Sequence, residues 1–329
     1  GGNGGFVETS GGYIAVVSTP ELNARAAGGN GGTWVIDPNN ITIVAGGGNT
    51  NINAADPFAS TDDSAQLGVN LITTALGNGA SVSITTGTGG ANSQTGVITL
   101  STNLAYTGTG NATLTLNAHS DIVFSSGVSV TGTGAGGLNL VLNADSDNNG
   151  SGSVTLNNAT ISLFGGSMTV SANVEDFSLA AGGTITTAGG GLTLNNTGTV
   201  GLGGNVNLGA GSFTATTSGQ TTIGGTLAAG SVAITGPTAI NGGSVTTTGG
   251  TQTYTGAVTL GANTTLTGTT ITFGSTVDSS GVSRTLTVNG AAAFNGDVGS
   301  LLQLTSLTVT GATALTNADV TTSGLQTYG

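Results

Sequence analysis

From about Ala80 onward the chain alternates apolar and polar residues in short bursts separated by Gly, Asn and Thr. Val82/Ile84, Leu114/Leu116, Leu138/Leu140/Leu142, Val154/Leu156 and Ile161/Leu163 are each spaced by two, as are Met168/Val170, Leu192/Leu194, Val200/Leu202 and Val206/Leu208. A period of two predicts strands with one face inward, and the Gly/Asn clusters predict the turns between them. Only 4 Pro interrupt the chain, so most backbone N–H groups are free to join a ladder.

Many short, evenly spaced strands fit either a sandwich or barrel, or a β-solenoid. Internal repetition favours the solenoid. GPTAINGGSVTTTGGTQTYTG, starting at Gly236, reappears as GATALTNADVTTSGLQTYG, starting at Gly311, with Val245 aligned to Val320 and Tyr254 to Tyr328. A unit of that length reads as three or four coils of about 20 residues each. The expected fold class is therefore all-β, a right-handed parallel β-helix of roughly fifteen coils, at about 4.8 Å per coil a rod on the order of 70 Å long. Inward Val, Ile and Leu would stack along it, Thr, Ser and Asn would face water, and Gly and Asn would take corners requiring positive φ.

One segment departs from this period. Asp62, Asp63 and Ser64 precede AQLGVNLITTALG, where Ala65, Leu67, Leu71, Ile72, Ala75 and Leu76 can share a helical face. An Asp or Ser N-cap and Gly77 as stop predict a short helix over 63–76 lying on the solenoid. The expected organisation is one continuous fragment over 1–329, with distinctive coils in 1–44, an irregular insertion with the helix in 45–80, and Thr/Gly/Asn-rich coils in 81–329.

Composition narrows the function. Of 329 residues 62 are Gly, none is Cys, and 36% are hydrophobic, enough for a core. Charged residues make up 5% and the net charge is −12, with Arg25 and Arg284 as the cations. Two cations cannot form a phosphate-binding patch, so nucleic acid and anionic membrane surfaces are disfavoured. No apolar run is long enough to span a membrane as a helix. The opening GGNGGF has no signal-peptide pattern, and both ends read as cuts through a longer polypeptide.

The first eighty residues carry more specific text. GGFVETSG (4–11) and TWVIDPNNITI (33–43) resemble paired blocks of filamentous-haemagglutinin-like proteins and the high-molecular-weight adhesins, passengers of two-partner secretion in Gram-negative bacteria. LITTALGNGASVSITT (71–86), YTGTGNATLTLNAHSDI (106–122), GGLNLVLNADSD (136–147) and QTYTGAVTLGANTTL (252–266) resemble coils of the same family. The resemblance implies a secreted, extracellular β-helix exported through an outer-membrane transporter. Such a protein acts in cell adhesion or biofilm matrix by attaching to host-cell or surface glycans and proteins. Self-association into an extracellular filament is the alternative, motivated by the stretch 177–277, which holds no charged residue. A carbohydrate-active β-helix enzyme is the third reading, and the scarcity of clustered acids and cations speaks against any enzyme.

Candidate sites are few. Trp34, the only Trp, reads as a binding platform or as a core filler before the DPNN turn. Asp145, Asp147 and Asn149 in DSDNNG open a calcium-loop pattern, but Leu156 stands where the bidentate Glu belongs, which favours a polar turn and no cofactor. No repeat-in-toxin array is present. His119-Ser120-Asp121 holds the only His, and adjacent strand residues face opposite ways, unlike a hydrolytic triad. Glu175 and Asp176 read as solvated, and Asp278, Asp297 and Asp319 as isolated acids. Six N-x-S/T sequons, at Asn40, Asn111, Asn149, Asn158, Asn195 and Asn263, are candidate glycosylation sites. Thr-x-Thr pairs such as Thr184/Thr186 and Thr270/Thr272 raise ice binding, which needs Thr at the same position on successive coils; the irregular spacing argues against it.

Overall fold

The computed structural model describes residues 6–10, 33–37, 40–46, 65–78, 81–86, 94–171 and 173–329, with backbone alone for Phe6–Ser10 and Thr33–Asp37. Burial follows the alternation of the sequence. Strand Ala112–Asn117 buries Ala112, Leu114 and Leu116 and half-exposes Thr113, Thr115 and Asn117, and Leu138–Asn143 repeats this with three Leu inside. Every strand pairing among the described residues is parallel, and through the middle of the chain a strand pairs with the third strand after it, as Ala112–Asn117, Ile122–Phe124 and Ser129–Gly132 pair with Leu138–Asn143, Val154–Leu156 and Thr160–Ser162; Thr264–Phe273 and Thr285–Phe294 each run through two faces, so around them the step falls to two strands or one. Three strands therefore make one turn, and the strands stack as a β-solenoid.

There are about 12 turns, fewer than the fifteen expected. The expectation assumed about 20 residues per turn. Some turns are much longer: the register steps from Ile122 to Val154 because the chain bulges out through 144–153 before the next strand. Elsewhere a turn shortens to the step from Thr221 to Thr238. Strands hold three to six residues, apart from Thr264–Phe273 and Thr285–Phe294, which each run through a corner onto a second face, and the corners absorb the variation in turn length.

By its contacts the chain divides into two compact units, Gly1–Glu175 and Asp176–Gly329. In the first unit the three faces are named here by the strands Ala112–Asn117, Ile122–Phe124 and Ser129–Gly132. Along the Ile122 face the order runs from Ala65–Gly68 through Ile41–Val44, Ile98–Leu100 and Ile122–Phe124 to Val154–Leu156.

Of the segment expected as a helix over 63–76, Asp63 and Ser64 lie outside the described residues, and the part from Ala65 begins as a strand. Ala65–Gly68 pairs with Ile41–Val44, setting Ala65 opposite Ile41 and Leu67 opposite Ile43, and the helix spans Val69–Gly77. Pairing with an open strand edge satisfies backbone groups that a first helical turn leaves unbonded, which explains why the strand wins over the Asp/Ser start signal. The helix begins at Gly68 without a side-chain cap, and Asn78, not Gly77, closes it, its N–H bonding Thr74 O. Val69, Ile72, Ala75 and Leu76 are buried against the strands Ser81–Thr85, Leu104–Tyr106 and Ala112–Asn117. The helix thus covers the third face of the unit ahead of Leu104–Tyr106.

In the second unit the faces are named by Phe177–Leu179, Thr184–Thr186 and Leu192–Asn195. Inward residues form continuous columns. One on the Phe177 face runs Phe177, Val200, Thr221, Thr238, Val258, Val277, Val298 and Val320. On the Leu192 face Tyr254, Phe273 and Phe294 stack with ring centroids 5.6 and 4.9 Å apart and planes nearly parallel. Each such side chain adds about 1.5–3 kcal/mol by leaving water. Between turns the backbone approach at the corners is close enough to demand Gly irrespective of φ. A Cβ on Gly250 would overlap the carbonyl oxygen of Gly230, and one on Gly211 that of Gly190, although neither Gly250 nor Gly211 has positive φ.

The sequence echo proves to be out of phase with the turns. Val245 lies on the Thr184 face, whereas Val320 bridges to Val298 on the Phe177 face. Tyr254 lies on the Leu192 face and Tyr328 on the Thr184 face. The repeat is preserved as a local device instead. Gln252 Nε2 donates to Val245 O at 3.1 Å and Tyr254 OH donates to Gln252 Oε1 at 2.8 Å; Gln326 and Tyr328 repeat both bonds, to Val320 O at 3.1 Å and Gln326 Oε1 at 2.8 Å. Gln252 also donates to Thr267 O on the following turn. Complete burial pushes the Tyr254 pKa upward, keeping its hydroxyl a neutral donor.

Thr221 and Thr238 sit side by side in the Phe177 column between Val200 and Val258, fully buried, and their hydroxyls have no partner. Replacing either with Val keeps the shape and removes an unsatisfied polar group. Thr221→Val and Thr238→Val are each expected to raise unfolding free energy by about 1 kcal/mol in denaturant titrations; a loss of stability would show that these hydroxyls are satisfied.

Candidate functional site

The side chains with chemistry are best located from the corners. The residue immediately before an inward-facing strand residue is repeatedly Asn or Asp, and its Oδ1 accepts the N–H at the equivalent position of the next turn. In the first unit Asn40 takes the N–H of Gly96 and Val97 at 2.9 and 2.7 Å, Asn103 that of Ser129 at 2.9 Å, Asn111 that of Gly137 at 3.0 Å, and Asp121 that of Ser153 at 2.9 Å. In the second unit Asn205 pairs with Thr226, Asn263 with Thr285 at 3.1 Å, and Asp297 with Asp319 at 3.0 Å. Asp176 takes both the N–H and the hydroxyl of Thr199, so it is a clamp and not a merely solvated acid. A short side chain ending in an acceptor is what this position requires, because a strand's first N–H at a corner otherwise lacks a partner.

This ladder assigns a structural role to residues marked as candidates by sequence. Asn40, Asn111 and Asn263, three of the six sequons, are clamps. Asn158 is an exposed corner residue with φ of 49°, Asn195 lies in register with Thr216, and Asn149 is exposed in the 145–150 loop. Asp278 is buried and accepts the N–H of Leu301 at 2.8 Å, so the three late acids serve as backbone acceptors or corner residues. Trp34 lies on the strand Thr33–Asp37 opposite Val82, while its ring, and Pro38 and Asn39 of the turn, lie outside the described residues.

Several candidates converge, among the described residues, on a polar cleft of about 270 Å³ in the first unit, lined by Gln94, Thr95, Gly96, His119, Ser120, Asp147, Asn149 and Ser151. Its outer wall is the 145–150 loop, shaped by Asp145. That residue is buried at φ 52°, and its two carboxylate oxygens accept the N–H of Asn149 at 2.8 Å and of Gly150 at 3.0 Å. Asn149 Nδ2 in turn donates to Asp147 Oδ2 at 2.8 Å. The oxygens of the calcium-like motif thus face N–H donors, and Leu156 at the twelfth position is buried in the core. Among the described residues no group of three or more His, Asp or Glu is placed to hold a metal.

Opposite this loop, the His119 N–H donates to Thr86 Oγ1 at 2.8 Å, and its Nδ1 is buried without a partner. Asp121 Oδ1 is held by Ser153, not by the imidazole, so His119, Ser120 and Asp121 do not form the acid–base–nucleophile relay of a hydrolase. The cleft can offer hydroxyl, amide and carboxylate contacts to a small polar group.

Asp145→Ala is expected to lower stability by about 2 kcal/mol, since it leaves two N–H groups unbonded, and the melting temperature is expected to be the same in calcium and in chelator. A calcium-dependent rise in melting temperature would make the loop a metal site.

No protein-family model matches this chain, and no curated protein sequence matches it.

Proposed function

We propose that the chain is a structural and adhesive section of a secreted bacterial surface protein of the filamentous-haemagglutinin type, and not an enzyme. The observation that carries this reading is that acidic and amide groups at the corners are engaged in joining one turn to the next, while the faces between corners are uncharged or weakly charged polar sheets over apolar columns. Such a scaffold displays surface without concentrating reactive groups. The blocks GGFVETSG and TWVIDPNNITI supply the family, and with it export through an outer-membrane transporter and attachment to glycans or proteins of cells and surfaces. Beads coated with the purified chain are expected to adhere to cultured epithelial cells or abiotic surfaces more than tenfold above beads coated with an unrelated solenoid. Equal retention would sink the adhesive reading.

A second reading, assembly into filaments through the strand faces, is favoured by the stretch 177–277, which holds no charged side chain to oppose close packing of two faces. Under this reading sedimentation velocity shows concentration-dependent oligomers, which Ala233→Lys with Thr253→Lys, exposed neighbours on adjacent turns of the Leu192 face, disperses; a wild-type chain that remains monomeric at high concentration excludes it.

A further inference from the structure

The polar cleft around His119 holds groups that the surrounding scaffold leaves unused. It is built across three successive corners. Residues 94–96, 119–120 and 147–151 lead into the strands Ile98–Leu100, Ile122–Phe124 and Val154–Leu156, which lie in register on one face. At about 4.8 Å per turn, three corners extend on the order of 10 Å along the stack. The side-chain hydroxyls of Thr95, Ser120 and Ser151 make no hydrogen bond among the described residues. The His119 imidazole makes none either, and its Nδ1 is buried without a partner. An orphan polar atom in a cleft wall carries a free-energy cost that a ligand can relieve.

The 145–150 loop fixes the kind of ligand. Asn149 Nδ2 donates to Asp147 Oδ2 at 2.8 Å, which leaves Asp147 Oδ1 as an acceptor and the second Nδ2 hydrogen of Asn149 as a donor, side by side. Two adjacent hydroxyls on a sugar ring are complementary to this pair, one donating to the carboxylate while the other accepts from the amide. Other ligand classes leave the cleft unmatched. An anion meets the Asp147 carboxylate and no cation in the lining. A metal ion finds no group of three His, Asp or Glu among the described residues. An ammonium only donates, so it leaves the Asn149 N–H without an acceptor.

We propose that this cleft binds a neutral saccharide, gripped at two adjacent hydroxyls by Asp147 and Asn149. The hydroxyls of Thr95, Ser120 and Ser151 and the imidazole of His119 supply the further hydrogen bonds, and the cleft is long enough for two sugar rings in line. That the saccharide stands on a cell or surface rests on the adhesive reading; the match between cleft and sugar does not.

His119 is the only His of the chain, so its imidazole reports from inside the cleft. The test follows its NMR signal in the full chain carrying isotopically labelled histidine, titrated with lactose, maltose and mannobiose, which end in galactose, glucose and mannose. At least one of them is expected to move the signal saturably, with a Kd on the order of millimolar. Asp147→Ala is expected to weaken that Kd about tenfold, as loss of a hydrogen bond to a charged group does, with the melting temperature unchanged. Ser151→Ala is expected to weaken it less. A signal that stays fixed with all three sugars, or that moves equally in Asp147→Ala, would overturn the proposal. So would a shift produced by putrescine or by glucuronic acid alone, which would make the cleft a cation or an anion site. The bead assay keeps the two readings apart: lost retention sinks adhesion, whereas a fixed imidazole signal sinks the saccharide site alone.

Discussion

The structure depends on one constraint: each strand pairs in parallel register with the strand stacked on it from the neighbouring turn. A shift of one residue would turn every inward Val or Leu outward. Parallel register therefore both satisfies the backbone and aligns the apolar columns, such as Phe177 with Val200 and Tyr254 with Phe273. The Asn and Asp clamps act on the same register from outside, since each binds the next turn at the equivalent position. Register held from both sides explains how turns of very different length can stack without loss of order.

Glycine has two distinct duties here. At positions such as Gly249 and Gly281 it supplies positive φ. At Gly211 and Gly250 it permits one turn's corner to rest on the carbonyl of the turn before. The second duty is a packing constraint, and it accounts for much of the glycine that turn chemistry leaves unexplained. The Gln–Tyr device adds a third kind of corner, in which a side-chain amide, buried at Gln252 and exposed at Gln326, reaches back to a carbonyl six or seven residues earlier. Its recurrence at Gln252 and Gln326 on different faces shows that strand-and-corner units are interchangeable among faces.

Functional chemistry follows from what this architecture leaves free. Corner acids and amides are bonded to backbone, and the loop carboxylate of Asp145 closes its own turn. The groups left for partners are those of the polar cleft around His119 and the outward hydroxyls on the strand faces. A protein built this way meets its ligands through extended surface, which is consistent with the adhesive reading.

Period-two alternation by itself determined the strands, their inward residues and, with the internal echo, the solenoid class, because alternation and repetition are local properties of the chain. It placed Leu138, Leu140 and Leu142 inside correctly. The start of the helix, the number of turns and the phase of the echo were decided by tertiary structure. Ala65 and Leu67 fit either a helix or a strand until Ile41 and Ile43 offer an open edge. Turn length depends on how far a corner bulges, which no periodicity encodes. Whether Thr265, Thr287, Thr308 and Thr327 fall in one column likewise depends on corners that lengthen or shorten to keep the register, so alignment from turn to turn arises from spacings that look irregular along the chain.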